Sequence, residues 1–205
     1  HGLFKLKNRP QWYTVSNRSR TYVKDILSKI SGEHFKNYPI KKIKTKTSGI
    51  DLYYGGESEY FNYDKVVLAT HADEALSIID NPTDQEKKIL LNYKYKDNIA
   101  YVHTDKKAMP KNKKAWCSWN SLIKKDEIEK NSITYWLNLL QNLECEENIF
   151  LTLNPYFEIE ESKILKKVKF THPYFDQAAL DYQSKLKNLQ NKRNILFCGS
   201  YFGYG

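Results

Sequence analysis

The chain has 205 residues, 40% hydrophobic and 14% aromatic, which suffices for one sizeable core or two small ones and excludes a disordered chain. Its 33 Lys and Arg against 24 Asp and Glu give a formal charge of +9, yet only four of the cations are arginines: Arg9, Arg18, Arg20 and Arg193. Arginine is the residue of forked nucleic-acid recognition, so no nucleic-acid partner is expected, and with no apolar run near the ~20 residues of a membrane span only peripheral membrane-surface contact stays open.

In chain order, the first periodic stretch is Ser19 to Ile30, where Tyr22, Val23, Ile26, Leu27 and Ile30 recur at helical spacing behind a possible Ser19 cap. From Tyr38 the pattern changes to short strands: Pro39 to Thr45, Ile50 to Tyr54 and Glu59 to Tyr63, separated by Ser48-Gly49 and Gly55-Gly56. This predicts a three-stranded meander. An apolar strand over Asp64 to Thr70 follows, reading as buried on both faces, and then a helix from Asp73 to Ile79. Ile99 to Thr104, Ala115 to Trp119, Ser132 to Asn138, Ile149 to Asn154 and Leu165 to Thr171 read as antiparallel strands rich in aromatic and β-branched residues. A helix from Tyr174 to Leu189 leads to a last strand, Asn194 to Cys198.

That strand runs into Gly199-Ser200 and an aromatic-glycine pattern, Phe202-Gly203-Tyr204-Gly205. Glycines after an apolar strand bring backbone close to something, commonly a ligand or a helix start. The strand ending at Thr70-His71 has the same form, and ligands of open α/β sheets bind beyond the carboxyl ends of such strands. The chain reads as a piece of a longer protein. No G-x-G-x-x-G phosphate motif occurs in it.

Other chemistry is sparse. Ser200, His71 or His172, and Asp73 or Asp176 supply the residue types of a hydrolytic triad, but the strand–G-x-S-x-G–helix setting is missing. His71, His103 and His172 lack metal-site spacing and suit hydrogen bonding at strand ends. Cys117, Cys145 and Cys198 are unpaired in spacing, so neither a metal site nor a disulfide is expected, and a cytoplasmic setting is the default. Trp116, Trp119, Trp136 and Tyr135 either line an apolar pocket or pack the core.

The ordered blocks HGLFKLKNRPQWYTV, SRTYV, VVLATHADEAL, MPKNKKAWCSWN, ITYWLNLLQNL, FLTLNP, HPYFDQAAL and LFCGSYFGYG together resemble bacterial FAD-dependent oxidoreductases of the flavin-containing amine oxidase superfamily. The resemblance spans nearly the whole chain. It implies an α/β fold: part of a Rossmann-like FAD-binding domain with its β-meander, plus a mainly antiparallel substrate domain. The implied division is residues 1–30 beside the flavin, 31–80 in the FAD-binding domain, 81–192 in the substrate domain, and 193–205 opening the C-terminal FAD motif. The N-terminal Rossmann glycine motif and the C-terminal end of the family would lie outside the chain.

By the same resemblance, Trp12, Thr14 and Ser19 lie near the isoalloxazine edge of FAD. Ile40 meets adenine through its backbone, Thr70 lies near the adenosine half, and Gly199 and Ser200 face the pyrophosphate and ribitol. Tyr201 continues toward the flavin ring. The family usually has two glycines where Asn17-Arg18 stand here, so either close backbone approach is restricted or the local turn differs. The implied activity is hydride transfer from an organic substrate, an amine or a lipid or unsaturated acyl compound, to flavin. The alternative is a non-enzymatic basic module that binds anionic lipid or nucleic acid.

Overall fold

The computed structural model describes residues 7, 11, 13–124 and 127–203. The fold is mixed α/β. Helix α1 spans Ser19–Lys29, strands β1 (Lys42–Lys46), β2 (Gly49–Tyr53) and β3 (Tyr60–Tyr63) form an antiparallel meander, and β4 is Val66–Leu68. Helices α2 (Ala72–Ile78) and α3 (Asp84–Leu90) follow, then β5 (Lys94–His103), β6 (Trp119–Lys124) and β7 (Glu127–Trp136). A short helix α4 (Leu137–Leu140), strands β8 (Phe150–Leu153) and β9 (Ile164–Tyr174), helix α5 (Gln177–Gln183) and strand β10 (Ile195–Phe197) complete the order.

Strands β4 and β10 pair in parallel, Ile195 with Val66 and Phe197 with Leu68, as their matching apolar-then-turn sequences suggest. The Cys198 amide extends the pairing by donating to the Leu68 carbonyl at 2.9 Å. One face of the pair is sealed by Ala72 and Ala75 of α2, Leu90 of α3, Ala179 of α5 and Leu186, which join a core that also holds Ile43 and Ile50 of the meander. The other face is open: Val67 is 60% exposed. The reading of this strand as buried on both faces is therefore corrected, because among the described residues β10 alone flanks β4 and packing reaches only one side.

Arg193 ties these pieces together. From the loop before β10 it donates to the Thr45 hydroxyl at 2.8 Å, to the carbonyls of Asp80 and Asn81, and to the Glu86 carboxylate at 2.9 Å. Glu86, buried, also accepts from the Thr83 amide at 2.6 Å, while the Thr83 hydroxyl accepts from the Glu86 amide at 3.1 Å, a reciprocal cap that starts α3.

The remaining strands form a five-stranded antiparallel sheet in the order β6-β7-β8-β5-β9. Period-two alternation divides it into two faces. One carries Asn120, Ser132, Thr134, Thr152 and His103, all buried, beside Phe150 and Trp136. Its hydroxyl, amide and imidazole groups bond one another or nearby backbone, whereas the Trp136 indole Nε1 is buried without a hydrogen-bond partner among the described residues. The His103 Nδ1 accepts from the Asp105 amide at 3.1 Å, which leaves Nε2 to donate to the Thr152 hydroxyl at 2.7 Å, and Thr152 lies 2.8 Å from the Thr134 hydroxyl. Burial holds the His103 imidazole below the ordinary histidine range, against the pull of Asp105.

The strands expected to open at Ile99 and Ser132 begin earlier, β5 at Lys94 and β7 at Glu127, and two further expected elements shift for local reasons. The strand expected over Ala115 to Trp119 is instead a 3-10 turn over Lys113–Ala115, capped by Asn112, and pairing begins at Trp119. Asn120 bonds back to the amide and carbonyl of Cys117, which holds the preceding residues out of the ladder. The helix expected over Tyr174 to Leu189 begins at Gln177, because β9 runs on through Tyr174 and Asp176 caps at the Ala179 amide. It stops at Gln183, and a 3-10 turn then places Leu186 and Leu189 in the core at its three-residue spacing.

Arg193→Met strips Glu86 of its charge partner and should cost about 3 kcal/mol in urea unfolding. Adding Glu86→Gln should recover part of that loss, since the amide side chain still accepts from Thr83 without needing a counter-charge. Stability should also be flat above about pH 6.5 and decline below it, because the unfolded chain takes up a proton at His103 that the folded protein resists. His103→Asn should reduce that slope below about pH 6.5.

Candidate functional site

The two apolar strands that pair in parallel also end together. Leu68 leads to Ala69 and Thr70, Phe197 leads to Cys198, Gly199 and Ser200, and all five of these turn residues are exposed. A Cβ built on Gly199 would lie 3.4 Å from the Thr70 carbonyl oxygen, so the two turns stand side by side. Gly199 has φ 157° and ψ 175°, a region open essentially to glycine alone, and a Cβ there would also lie 2.7 Å from the Tyr201 ring. Glycine at this strand end is therefore required by the chain's own packing. It also leaves bare backbone at the surface beside Thr70.

Tyr201 turns inward instead of continuing outward from the glycine. Its ring is 1% exposed and packs 5.2 Å from that of Tyr93. Among the described residues neither hydroxyl has a hydrogen-bond partner, and burial pushes the Tyr93 phenol up to about 12 and the Tyr201 phenol further. Next to them the Tyr95 hydroxyl accepts from the Ala72 amide at 2.7 Å, a side-chain cap from β5 on the start of α2, and His71 stacks on the Tyr95 ring at 4.2 Å. Sequence reasoning missed this tyrosine cluster. Tyr93 and Tyr95 lie far from Tyr201 in sequence, and nothing in their spacing announces the contact.

Thr14 and Ser19 lie elsewhere. With Val15, Asn17, Arg18 and Tyr22 they line one side of an open cavity of about 840 Å³, whose other side is Gln141 to Glu144 after α4. Ile40 precedes β1 and packs partly buried against the core shared with β4 and β10. Trp12 lies outside the described residues. The candidate residues thus gather into the strand-end group of Thr70, Gly199 and Ser200, with Tyr201 beneath it, and the cavity pair of Thr14 and Ser19. Ile40 stands apart from both.

At the cavity, the turn before α1 keeps a glycine-like backbone without glycine. Asn17 has φ 61°, and Arg18 has φ 69° with ψ −179°. Asparagine tolerates its conformation well, whereas Arg18 occupies one almost confined to glycine. The turn is held by the Arg18 amide donating to the Val15 carbonyl at 3.0 Å and the Thr21 hydroxyl donating to the Asn17 carbonyl at 3.1 Å. The Ser19 cap expected from the sequence is not formed: Ser19 is the first residue of α1, and Arg18 takes the flanking position and supplies no side-chain cap.

The tryptophans do not share one pocket. Trp116 and Trp136 meet edge to face at 5.2 Å on the buried side of the five-stranded sheet, and Trp119 meets Tyr135 at 6.1 Å on the opposite side. The three cysteines are free thiols, and no cluster of metal-ligating side chains occurs among the described residues. No helix among the described residues is long and apolar enough to cross a membrane.

No protein-family model and no curated protein matches the chain. Among solved structures, a CLA-producing fatty acid isomerase from P. acnes superposes with a TM-score of 0.61 at 13% identity, over 91% of this chain and 48% of that one. A protein assigned as a protoporphyrinogen oxidase from Exiguobacterium sp. 255-15 superposes with a TM-score of 0.58 at 7% identity, over 90% of this chain and 47% of that one. The chain spans about half the length of each. At these identities the likeness shows a shared fold.

Arg18→Gly should relieve the backbone at the cavity and raise stability by roughly 1 kcal/mol, read as a higher urea midpoint at unchanged slope. An unchanged or lower midpoint would mean that the Arg18 side chain contributes as much as its backbone costs.

Proposed function

We propose that the chain is part of an FAD-dependent oxidoreductase. The observation that carries this reading is the parallel pairing of β4 and β10, which sets two exposed turns at the carboxyl ends of adjacent strands, the usual position of a nucleotide in an α/β sheet. The residues there fit such a group. Gly199 presents backbone without a Cβ, Thr70 stands beside it, and Ser200 is exposed. The family resemblance of the sequence and the fold shared with two enzyme-named structures support the same assignment.

On this reading, Gly199 and Ser200 meet the pyrophosphate and ribitol, Thr70 and Ile40 serve the adenosine half, and Thr14 and Ser19 border the flavin from the cavity before α1. Tyr201, buried beneath Gly199, acts as a support that sets the glycine's backbone and does not itself reach the ligand. Residues 31–80 and 193–205 make up the cofactor-binding part, residues 1–30 the flavin-proximal segment, and residues 81–192 the substrate part. When bound, the flavin would accept a hydride from a substrate carbon, the protein supplying position and electrostatics.

Titration with FAD of the longer protein that this reading implies, followed by flavin fluorescence, tests the assignment; without the glycine motif of the resemblance, the 205-residue chain should bind FAD weakly if at all. Thr70→Trp sets a bulky ring on the exposed strand end without entering the core, and should weaken binding by about tenfold or more. Lys113→Ala, in the 3-10 turn of the sheet's covering loop, should leave it unchanged. Equal affinities for the two variants would overturn the strand-end site.

A further inference from the structure

The five-stranded sheet is patterned inside out. Antiparallel sheets with one solvated face normally bury the apolar side and expose the polar one. Here Asn120, Ser132, Thr134, Thr152 and His103 face the buried side, whereas the opposite face carries Trp119, Ile123, Ile133 and Phe170, respectively 51%, 56%, 38% and 45% exposed. The registers place that face's side chains in rows. One row runs Trp119, Tyr135, Leu151, Val102 and Lys166 across all five strands, and the next runs Ser121, Ile133, Leu153, Ala100 and Val168. A hydrophobic surface of this extent asks for an apolar occupant.

The charge on the face says which kind. No carboxylate stands in either row, so nothing there would hold an ammonium group. The first row instead ends on Lys166, exposed and without an ion-pair partner among the described residues. Five strands are separated by four spacings of about 4.8 Å, so the row from Trp119 to Lys166 is about 19 Å long. That matches an extended long-chain acyl group with an anionic head. The same row borders the candidate site: β7 passes from Tyr135 and Trp136 into α4 and then into Gln141 to Glu144, which line the cavity opposite Thr14 and Ser19.

We propose that this open sheet face is the wall that binds a free long-chain fatty acid, its chain across Trp119, Tyr135, Leu151 and Val102 and its carboxylate on Lys166. Treating the bound molecule as substrate rests on the flavoenzyme reading above. Of the two substrate classes the sequence leaves open, the face selects the acyl compound over the amine. The chain lies across the strands, so Ile133 and Leu153 in the adjacent row flank it, and an ionic residue at either would be carried into apolar contact.

The test uses cis-parinaric acid, a fluorescent polyene fatty acid, below its micellar concentration and without lipid. Its fluorescence should rise saturably with the 205-residue protein and be displaced by oleate. Ile133→Lys and Lys166→Glu should each weaken binding by about tenfold, and Lys167→Glu, on the opposite face of β9 over the Tyr101 ring, should not. Far-UV circular dichroism checks each fold, and Ile123→Lys on the edge strand replaces Ile133→Lys if that variant unfolds. Wild-type affinity in the Ile133 or Ile123 and Lys166 variants would overturn the proposal. So would displacement by oleylamine as effective as by oleate, or binding seen only with anionic phospholipid vesicles, which would make the face a membrane surface. FAD titration of the longer protein that the flavoenzyme reading implies separates the two readings: FAD binding there without parinarate binding by the 205-residue chain removes the fatty-acid wall alone, and parinarate binding by the chain without FAD binding by the longer protein removes the flavoenzyme assignment alone.

Discussion

The guanidinium of Arg193 is the contact on which the arrangement of the α/β part depends. Residue 193 is 148 positions from Thr45 and 107 from Glu86, yet one side chain bonds both, together with the carbonyls of Asp80 and Asn81. A planar fork with several donors can satisfy a hydroxyl, two carbonyls and a carboxylate at once, which a lysine ammonium cannot do with the same rigidity. With the meander, the turn after α2 and the start of α3 held at one point, β10 has a fixed place beside β4. The parallel register of Ile195 with Val66 then follows, and with it the meeting of Thr70 and Gly199 at the strand ends.

A second constraint governs the other sheet. Its buried face carries a connected polar chain from Asp105 to His103, Thr152 and Thr134, with Asn120 bonded to Cys117, and the buried Trp136 Nε1 stands outside that network. A closed network of this kind avoids the cost of orphaned buried groups and specifies register, because a one-residue slip would break every bond and reverse both faces. The same register puts Trp119, Ile133 and Phe170 on the outer side. The apolar outer face is thus a direct consequence of the polar inner one, and the fatty-acid wall inferred for it depends on that network.

Two backbone positions show how conformation and residue type can part company. At Gly199 the conformation and the residue agree, since the backbone lies in a region open essentially to glycine and a Cβ would stand 2.7 Å from the Tyr201 ring. At Arg18 they disagree: the turn keeps the conformation that a glycine would adopt freely, and a charged residue bears it at the edge of the cavity.

Local signals in the sequence determined the strands of the meander, the start of α1, the two apolar strands with their terminal turns, and the location of four of the five strands of the large sheet, of which β5 and β7 each begin five residues earlier than expected. Those features rest on periodicity, turn chemistry and caps, which act over a few neighbours. The resemblance carried by the sequence also named Thr70, Gly199 and Ser200, which the fold brings to one exposed strand end. Only the tertiary structure decided which partner each element found. It turned Tyr201 inward onto Tyr93, left Val67 exposed beside a single neighbour, divided Trp116 and Trp136 from Trp119, and broke the helix after Gln183 so that Leu186 and Leu189 could reach the core. The physical reason is common to all four. Alternation shows that a strand has two faces, but which of them is inside depends on contacts made across a hundred residues or more, and those have no local signature.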